Sequence, residues 1–581
     1  MFLLHPPIPP WATPDDQGIE LVMLSDEPLP QGSAFVRGLP DNEELLQPLR
    51  PDGRQGSLFR HRARIAWDGS QGATRYCFAV AADDGPQWLA ADGPHAHVPP
   101  EAQHFRIHRD QRPPGWVREQ VFYQVFPDRF ARGAASGPAP VPLVPWGTPP
   151  DPARAGNSFY GGDLPGLMER LPYLNDELGV TALYLNPVFE SRSNHRYDTV
   201  DYTRVDPLLG GNAALRALRE ATRARGMRLV LDAVVNHTGA HHAWVQKQPG
   251  WYARDAAGRA LGWKGHASLP VLDFAVPAVQ QAVYAGPDAV LRHWMRPPYA
   301  IDGWRLDVIH MLGEGPGAAH NERHVRAIRQ ALREENADAY VLGEHFAEAT
   351  RWLQGEQEDG AMNYYGFAQP VRAWLAGLEL GGRRRRIGTA AFGAWLQRAL
   401  AAIPYDNQLA QLNLLDSHDT PRLLTELGAD TALLQLAMTL LFSWPGVPCL
   451  YYGDEIGLEG GPDPDCRRCF DWHPSRRTMP LWRHVQTLAR LRRSRREWQQ
   501  GALLALGHGP DWLAYARFTA DAASVVAVNR GEATDLALPL STLPLSVAQV
   551  TMLSGGADTR IEAGTLRLAL PARSAMVVAL D

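Results

Sequence analysis

Between about residues 117 and 500 one unit recurs eight times: a short apolar run, then a longer stretch with apolar residues at helical spacing. The runs are Val121–Val125, Ala182–Asn186, Met227–Asp232, Ile301–Asp307, Tyr340–Glu344, Ala361–Tyr365, Gln411–Asp416 and Val447–Tyr452, with helical patterns such as Asn212–Arg225 and Glu322–Glu334 between them. Strands this apolar must be buried on both faces, which parallel sheets achieve by covering themselves with helices. Eight such units predict an α/β chain built on a parallel (β/α)8 TIM barrel. Residues 238–277, between the third strand and its helix, are too many for an ordinary loop and predict a lobe inserted over the barrel mouth.

The flanks follow another rule. Gly18–Leu24, Phe59–Trp67 and Arg75–Val80 alternate polar and apolar residues, and Pro40–Asn42, Pro51–Gly53 and Asp68–Ser70 carry turn chemistry. That is the pattern of half-buried strands and predicts an N-terminal β-sandwich over 1–112. The Pro/Gly linker Gln111–Trp116 leads into a barrel domain over 113–500. Alternation returns in Ser524–Asn529 and Thr565–Leu570, so 501–581 is expected to form a C-terminal antiparallel β domain.

Charge and cysteine content exclude several function classes. Lys+Arg 57 against Asp+Glu 63 leaves −6, no footing for nucleic acid or an anionic membrane. Four cysteines cannot make a disulfide framework, and no run approaches the roughly 20 apolar residues of a membrane span. Met1–Pro10 is cut by Pro6, Pro7, Pro9 and Pro10 and lacks a basic start, unlike a secretory signal. A cytoplasmic protein is expected.

Acidic residues at the C-terminal ends of barrel strands face the mouth, where substrates bind. Four strand ends carry them: Asp232–His237 on the third, Arg305–Asp307 on the fourth, Gly343–His345 on the fifth and Asp416–Asp419 on the seventh. Arg305 and Asp307 are two apart and so share a face, where the guanidinium is expected to keep Asp307 ionised as a nucleophile. Glu344 on the next strand is then the candidate general acid, at the roughly 5–5.5 Å separation of retaining glycoside hydrolysis. Asp419 remains for sugar hydroxyls, with His237 and His418 as hydrogen-bond partners.

These segments resemble the conserved regions of the α-amylase family of glycoside hydrolases, as do Gly179–Pro187 on the second strand and Gly446–Glu455 on the eighth. The likeness runs from end to end. It implies a double displacement with catalytic Asp307, Glu344 and Asp419. It also implies substrate-binding Tyr197 (an aromatic platform in Asn194–Asp198), Asp232, His237, Arg305, His418, Asp465 and Arg467, with His195 and Asp198 as further candidates. Within the family, Tyr123–Arg132, Phe159–Leu164, Asp307–Glu314 and above all the His after Glu344 resemble the maltodextrin glucosidase branch. That branch implies an α-glucosidase releasing glucose from α-1,4 maltodextrins. The alternative is a cyclomaltodextrinase or neopullulanase acting on cyclodextrins or pullulan; a carbohydrate-binding barrel without catalysis is disfavoured by the intact carboxylates. The resemblance implies no cofactor and a possible homodimer through the N-terminal domain.

Other motifs take plain readings. Cys466–Cys469 reads as two loop thiols, and His241 and His242 as structural loop histidines rather than zinc ligands. The loop Gly133–Ala155 has a single acid, Asp151, so no calcium is expected there. Arg383–Arg386 reads as a solvated loop, and Trp482–Trp498 as the last barrel helix with its cations at the C-terminal end.

Overall fold

In the computed structural model the eight apolar runs pair side by side, all parallel: β1 (Phe122–Val125), β2 (Ala182–Leu185), β3 (Arg228–Ala233), β4 (Gly303–Leu306), β5 (Tyr340–Gly343), β6 (Gly360–Ala361), β7 (Leu412–Asn413) and β8 (Val447–Tyr451). β1 pairs with both β2 and β8, and a parallel bridge between Met362 and Leu412 links the β6 end to β7 and closes the barrel. The structure describes residues 1–68, 72–82, 85–134, 136–137, 139–556 and 558–581. The Asp68–Ser70 turn therefore runs into residues outside the described set, as does part of the Gly133–Ala155 loop.

Alternation of Cβ atoms sorts each strand's residues between two cores. Phe122, Tyr184, Val230, Tyr340, Leu342 and Val447 fill the barrel interior. Tyr123, Leu183, Leu229, Leu231, Trp304 and Val341 face outward against helices such as α1 (Gly211–Ala224) and α2 (Asn321–Glu335). Gly303 is required where β4 passes β5, because a Cβ there would lie 2.3 Å from the Tyr340 carbonyl oxygen. Two expected strands, β6 and β7, are cut to two residues each. β6 stops at Ala361 because the Asn363 side chain accepts from the Gly366 N–H at 3.1 Å and turns Tyr364–Ala368 into a π-helical segment.

The inserted lobe carries a helical turn, Ala243–Lys247, and a hairpin of Gly262–Trp263 with His266–Pro270. N-terminal to the barrel lie a five-stranded and a six-stranded antiparallel sheet enclosing Ile19, Leu21, Met23, Tyr76 and Phe78. The C-terminal region forms a five-stranded and a three-stranded sheet. Its Leu513, Tyr515, Val526 and Val577 join the core around the barrel, and its other face shares a core with Trp11, Val22 and Leu24. Among the described residues no helix is long and apolar enough to cross a membrane.

The last helix departs from expectation. It is two helices, α3 (Pro480–Ser494) and α4 (Arg496–Gln500), broken at Arg495, which adopts φ −102° and ψ 103°. Arg492, one of the cations expected at the helix's C-terminal end, is fully buried. Its guanidinium donates to the carbonyls of Trp498 at 2.5 Å, Arg118 at 2.6 Å and Gly446 at 2.8 Å, pinning α4 to both β1 and β8 approaches. Arg492→Met strands those carbonyls, and a loss of about 3 kcal/mol or more is expected. Thermal melts measure it; an unchanged Tm would show that the carbonyls find other partners.

The remaining plain readings can be placed. All four cysteines are free and buried, and the Cys466 thiol donates to the His418 carbonyl. Arg383 and Arg385 are exposed and pair with Glu379. His242 caps the Ala243–Lys247 turn by accepting from the Trp244 N–H. Among the described residues no three His, Cys, Asp or Glu side chains gather as metal ligands.

Candidate active site

Following the inward-facing positions two residues further toward the mouth replaces the apolar barrel filling with polar groups. Phe122 is succeeded by Gln124, Tyr184 by Asn186, Val230 by Asp232, Gly303 by Arg305 and then Asp307, and Leu342 by Glu344. Asp232 and Arg305 are direct partners across β3 and β4. One strand parity thus assembles the floor of the site.

Arg305 is its hub. Nη1 donates to Asp307 Oδ1 at 2.7 Å and to Asp232 at 2.8 and 3.0 Å. Nη2 lies 2.8 Å from Glu344 Oε1, yet it makes no aligned hydrogen bond there. Glu344 Oε2 instead accepts the Val308 N–H at 2.7 Å. Val308 directs that N–H from a left-handed conformation, φ 38° and ψ 39°, costly for a β-branched residue and common where a site dictates backbone geometry.

A second network orders the other wall. Gln124 Nε2 donates to His418 Nδ1 at 2.8 Å, which assigns the ring proton to Nε2. His418 Nε2 lies 3.0 Å from Asp419 Oδ2 and 2.7 Å from the Tyr197 hydroxyl. Tyr197 donates to Asp232 at 2.9 Å and stacks on His418 with a 7° interplanar angle. Arg467 donates to the His418 carbonyl at 2.7 Å and to Asp419 at 3.2 Å, and pairs with Asp463 at 3.0 Å.

Charge counting explains the titration behaviour. One guanidinium serves Asp232, Asp307 and Glu344, so full ionisation would leave an excess of buried negative charge. Burial pushes Asp307 well above the usual carboxylate range, against the pull of Arg305, and Glu344 rises for the same reason. Arg305 pulls Asp307 downward, as the sequence spacing leads one to expect, and burial opposes that pull. Burial would raise Asp419 too, but His418, Arg467 and Arg305 outweigh it and hold that carboxyl below its ordinary value. Burial lowers His237 to about 4 and His418 to about 3, so both work as neutral hydrogen-bonding rings at neutral pH. Arg305→Met leaves three carboxylates without their cation and is expected to cost roughly 3–5 kcal/mol. Calorimetry reads this as a lowered Tm, and a variant as stable as its parent would refute the hub.

These groups open into a cleft of about 1060 Å3. Of the residues expected from sequence, Asp307, Glu344, Asp419, Tyr197, His237, Arg467, His195 and Asp198 line it. Asp232, Arg305 and His418 are buried beneath and support them. Asp465 is not brought to the cleft: its carboxylate is clamped by Arg468, with 2.8 Å contacts to Nε and Nη2, and accepts the Gly461 N–H, while Asp463 takes the place in the wall. The sequence pattern does not reveal Trp263, Lys264 and His266 of the lobe hairpin, or Phe346 and Trp352 after β5. Nor does it single out the buried Gln124, whose one signal is a polar residue inside an apolar strand.

Comparison with known proteins fits this geometry. The family model described as the α-amylase catalytic domain matches residues 124–255 and 249–486. A cyclomaltodextrinase of Geobacillus thermopakistaniensis (strain MAS1) is 35% identical over 488 residues, covering 81% of this chain and 78% of that protein. Neopullulanase 2 of Thermoactinomyces vulgaris is 37% identical over 412 residues, 67% of this chain and 66% of that one. A solved cyclomaltodextrinase superposes with a TM-score of 0.75 at 26% identity, over 100% of this chain and 99% of its own. These names belong to the branch that the sequence motifs rank second, behind maltodextrin glucosidase.

Proposed function

The chain belongs to the α-amylase family of glycoside hydrolases, and from that premise we propose that it cleaves α-1,4 bonds of short glucans, cyclic as well as linear, by a retaining double displacement. The observation carrying this reading is the single Arg305 guanidinium in contact with carboxylates from three strand ends, beside Asp419, under an open cleft. One cation bridging two carboxyl groups suits the roughly 5–5.5 Å of a nucleophile–acid pair. A volume of about 1060 Å3 is at the top of the roughly 300–1,000 Å3 range of small-molecule pockets and gives room for several sugar rings.

Asp307 is the nucleophile in this scheme. It receives an aligned Arg305 N–H, which stabilises its anion, whereas Glu344 receives none from that guanidinium. In this scheme the proton that charge counting demands sits on Glu344 when substrate binds, with Arg305 holding Asp307 as the anion against the upward push of burial. Glu344 protonates the glycosidic oxygen as the C1–O bond breaks, and an Asp307 oxygen bonds to C1 to give a β-glycosyl ester. Glu344 then takes a proton from water as that water attacks C1 and Asp307 leaves, restoring the α configuration. Asp419, held ionised by its cationic neighbours, grips ring hydroxyls of the distorted sugar, and Tyr197 offers the ring an apolar face.

The cyclodextrin-acting relatives and the open cleft support ring opening over pure release of terminal glucose. The glucosidase reading is retained as the second, on the strength of His345 after the acid. β-Cyclodextrin, pullulan and reducing-end-labelled maltotriose separate them: ring opening followed by cleavage to maltose is expected. Intact cyclodextrin alongside rapid glucose release from maltotriose would favour the glucosidase instead. Four free, buried cysteines support a cytoplasmic setting. Exposed Leu45 and Leu46 on the edge strand Leu45–Pro48 support self-association through the N-terminal sheets, which sedimentation velocity tests.

A further inference from the structure

We propose that Glu358 and His345 form a buried carboxylate–imidazole clamp that holds Glu344 in position, making both of them positioning residues of the reaction proposed above, on which this inference rests. Glu358 is fully buried, and each of its carboxylate oxygens lies 2.9 Å from His345 Nε2. Among the described residues His345 is the one side chain bonded to that carboxylate. The same carboxylate lies against the α-carbon of Gly343: a Cβ there would come within 1.9 Å of Oε2. Glu358 therefore touches the residue before Glu344 and bonds the residue after it. The acid is held from both sides.

The clamp extends to the loop of the nucleophile. The His345 ring stacks on Trp352 at 4.2 Å, and Trp352 Nε1 donates to Asn321 Oδ1 at 2.7 Å. Asn321 Nδ2 donates to the carbonyls of Ile309 at 2.7 Å and Leu312 at 2.6 Å, in the segment that follows Asp307. From the opposite direction the Val308 N–H of that segment binds Glu344 Oε2. The side chain and the backbone of the acid are thus tied to one loop by two independent routes, which sets the separation between acid and nucleophile.

A buried carboxylate is costly unless its pairing serves a purpose. The neighbouring Asp359 already performs the structural task here, binding Arg329, Arg333 and the Val341 N–H. Among the described residues Glu358 has no such arginine, and its carboxylate engages a ring in the cleft wall beside the acid. Displacing a catalytic group by about 1 Å costs on the order of 100-fold in rate, so loosening the clamp should weaken proton donation selectively.

The test uses aryl α-glucosides that share one shape and differ in leaving-group acidity. In Glu358→Gln, kcat/KM for the 4-methoxyphenyl glucoside, whose departure needs a proton, is expected to fall roughly 10- to 100-fold. For the 2,4-dinitrophenyl glucoside, which departs unaided, it should change by less than about 3-fold, since proton donation contributes little there. His345→Gln should show the same asymmetry, and it carries the comparison should Glu358→Gln fail to fold. Equal losses on both substrates, or none on either, would overturn the clamp. A parent enzyme that turns over neither glucoside nor maltotriose would overturn the catalytic reading instead.

Discussion

Asp307→Asn is expected to lower kcat on maltotriose by at least about 10^4-fold, since an amide cannot form the glycosyl ester on which a double displacement depends. Binding should survive, because the substituted amide still offers an oxygen to Arg305 and the rest of the cleft is untouched. The same substitution is expected to stabilise the protein at neutral pH. Asp307 binds its proton more tightly folded than unfolded, so it contributes stability below the ordinary carboxylate pKa and loses it as pH rises through the raised folded value. The Tm advantage of Asp307→Asn should therefore be absent near pH 4 and appear as pH rises. Substantial turnover, or a variant less stable than its parent at pH 7 to 8 but not at pH 4, would contradict the account of this residue.

Glu344→Ala is the second large effect. General acid–base help contributes roughly 10^2–10^4-fold, and maltotriose, with a sugar as leaving group, should lose most of it. α-Glucosyl fluoride should still load the enzyme, since fluoride departs with little protonation, and the ester should then persist because no base activates water. Azide, a nucleophile that needs no base, is expected to displace Asp307 from C1 with inversion, restoring turnover and yielding α-glucosyl azide. A β-configured azide, or no rescue at all, would remove Glu344 from the acid/base role. The parent should also keep its activity further into the alkaline range than an ordinary glutamic acid allows, since burial raises Glu344.

How much of this is legible in the sequence depends on whether a period governs the residues concerned. The barrel strands and the polar set at their ends obey a two-residue repeat, so spacing alone places Asp232, Arg305, Asp307 and Glu344 on one face. Loops have no such period. Asp463 and Asp465 are two apart in one loop, and which of them faces the cleft is decided by Arg468 closing on Asp465. Trp263 and His266 reach the cleft only because a hairpin folds over it. The break at Arg495 likewise goes with Arg492 reaching the carbonyl of Trp498 just beyond it and those of Arg118 and Gly446 from distant segments. The electrostatic balance is incomplete from sequence, since the pairing of Arg305 with Asp307 is visible there while the contacts of the same guanidinium with Asp232 and Glu344 are not. The branch assignment rests chiefly on His345, and one residue beside the acid discriminates poorly among relatives that share the rest of the site.

The central claim is that Asp307 attacks the same anomeric carbon whose leaving group Glu344 protonates. Loading Glu344→Ala with α-glucosyl fluoride, digesting the protein and locating the sugar by peptide mass spectrometry tests it most directly. One glucosyl group esterified to the peptide bearing Asp307 is the expected result. An adduct on any other carboxylate, or none while fluoride is released, would contradict the mechanism at its root.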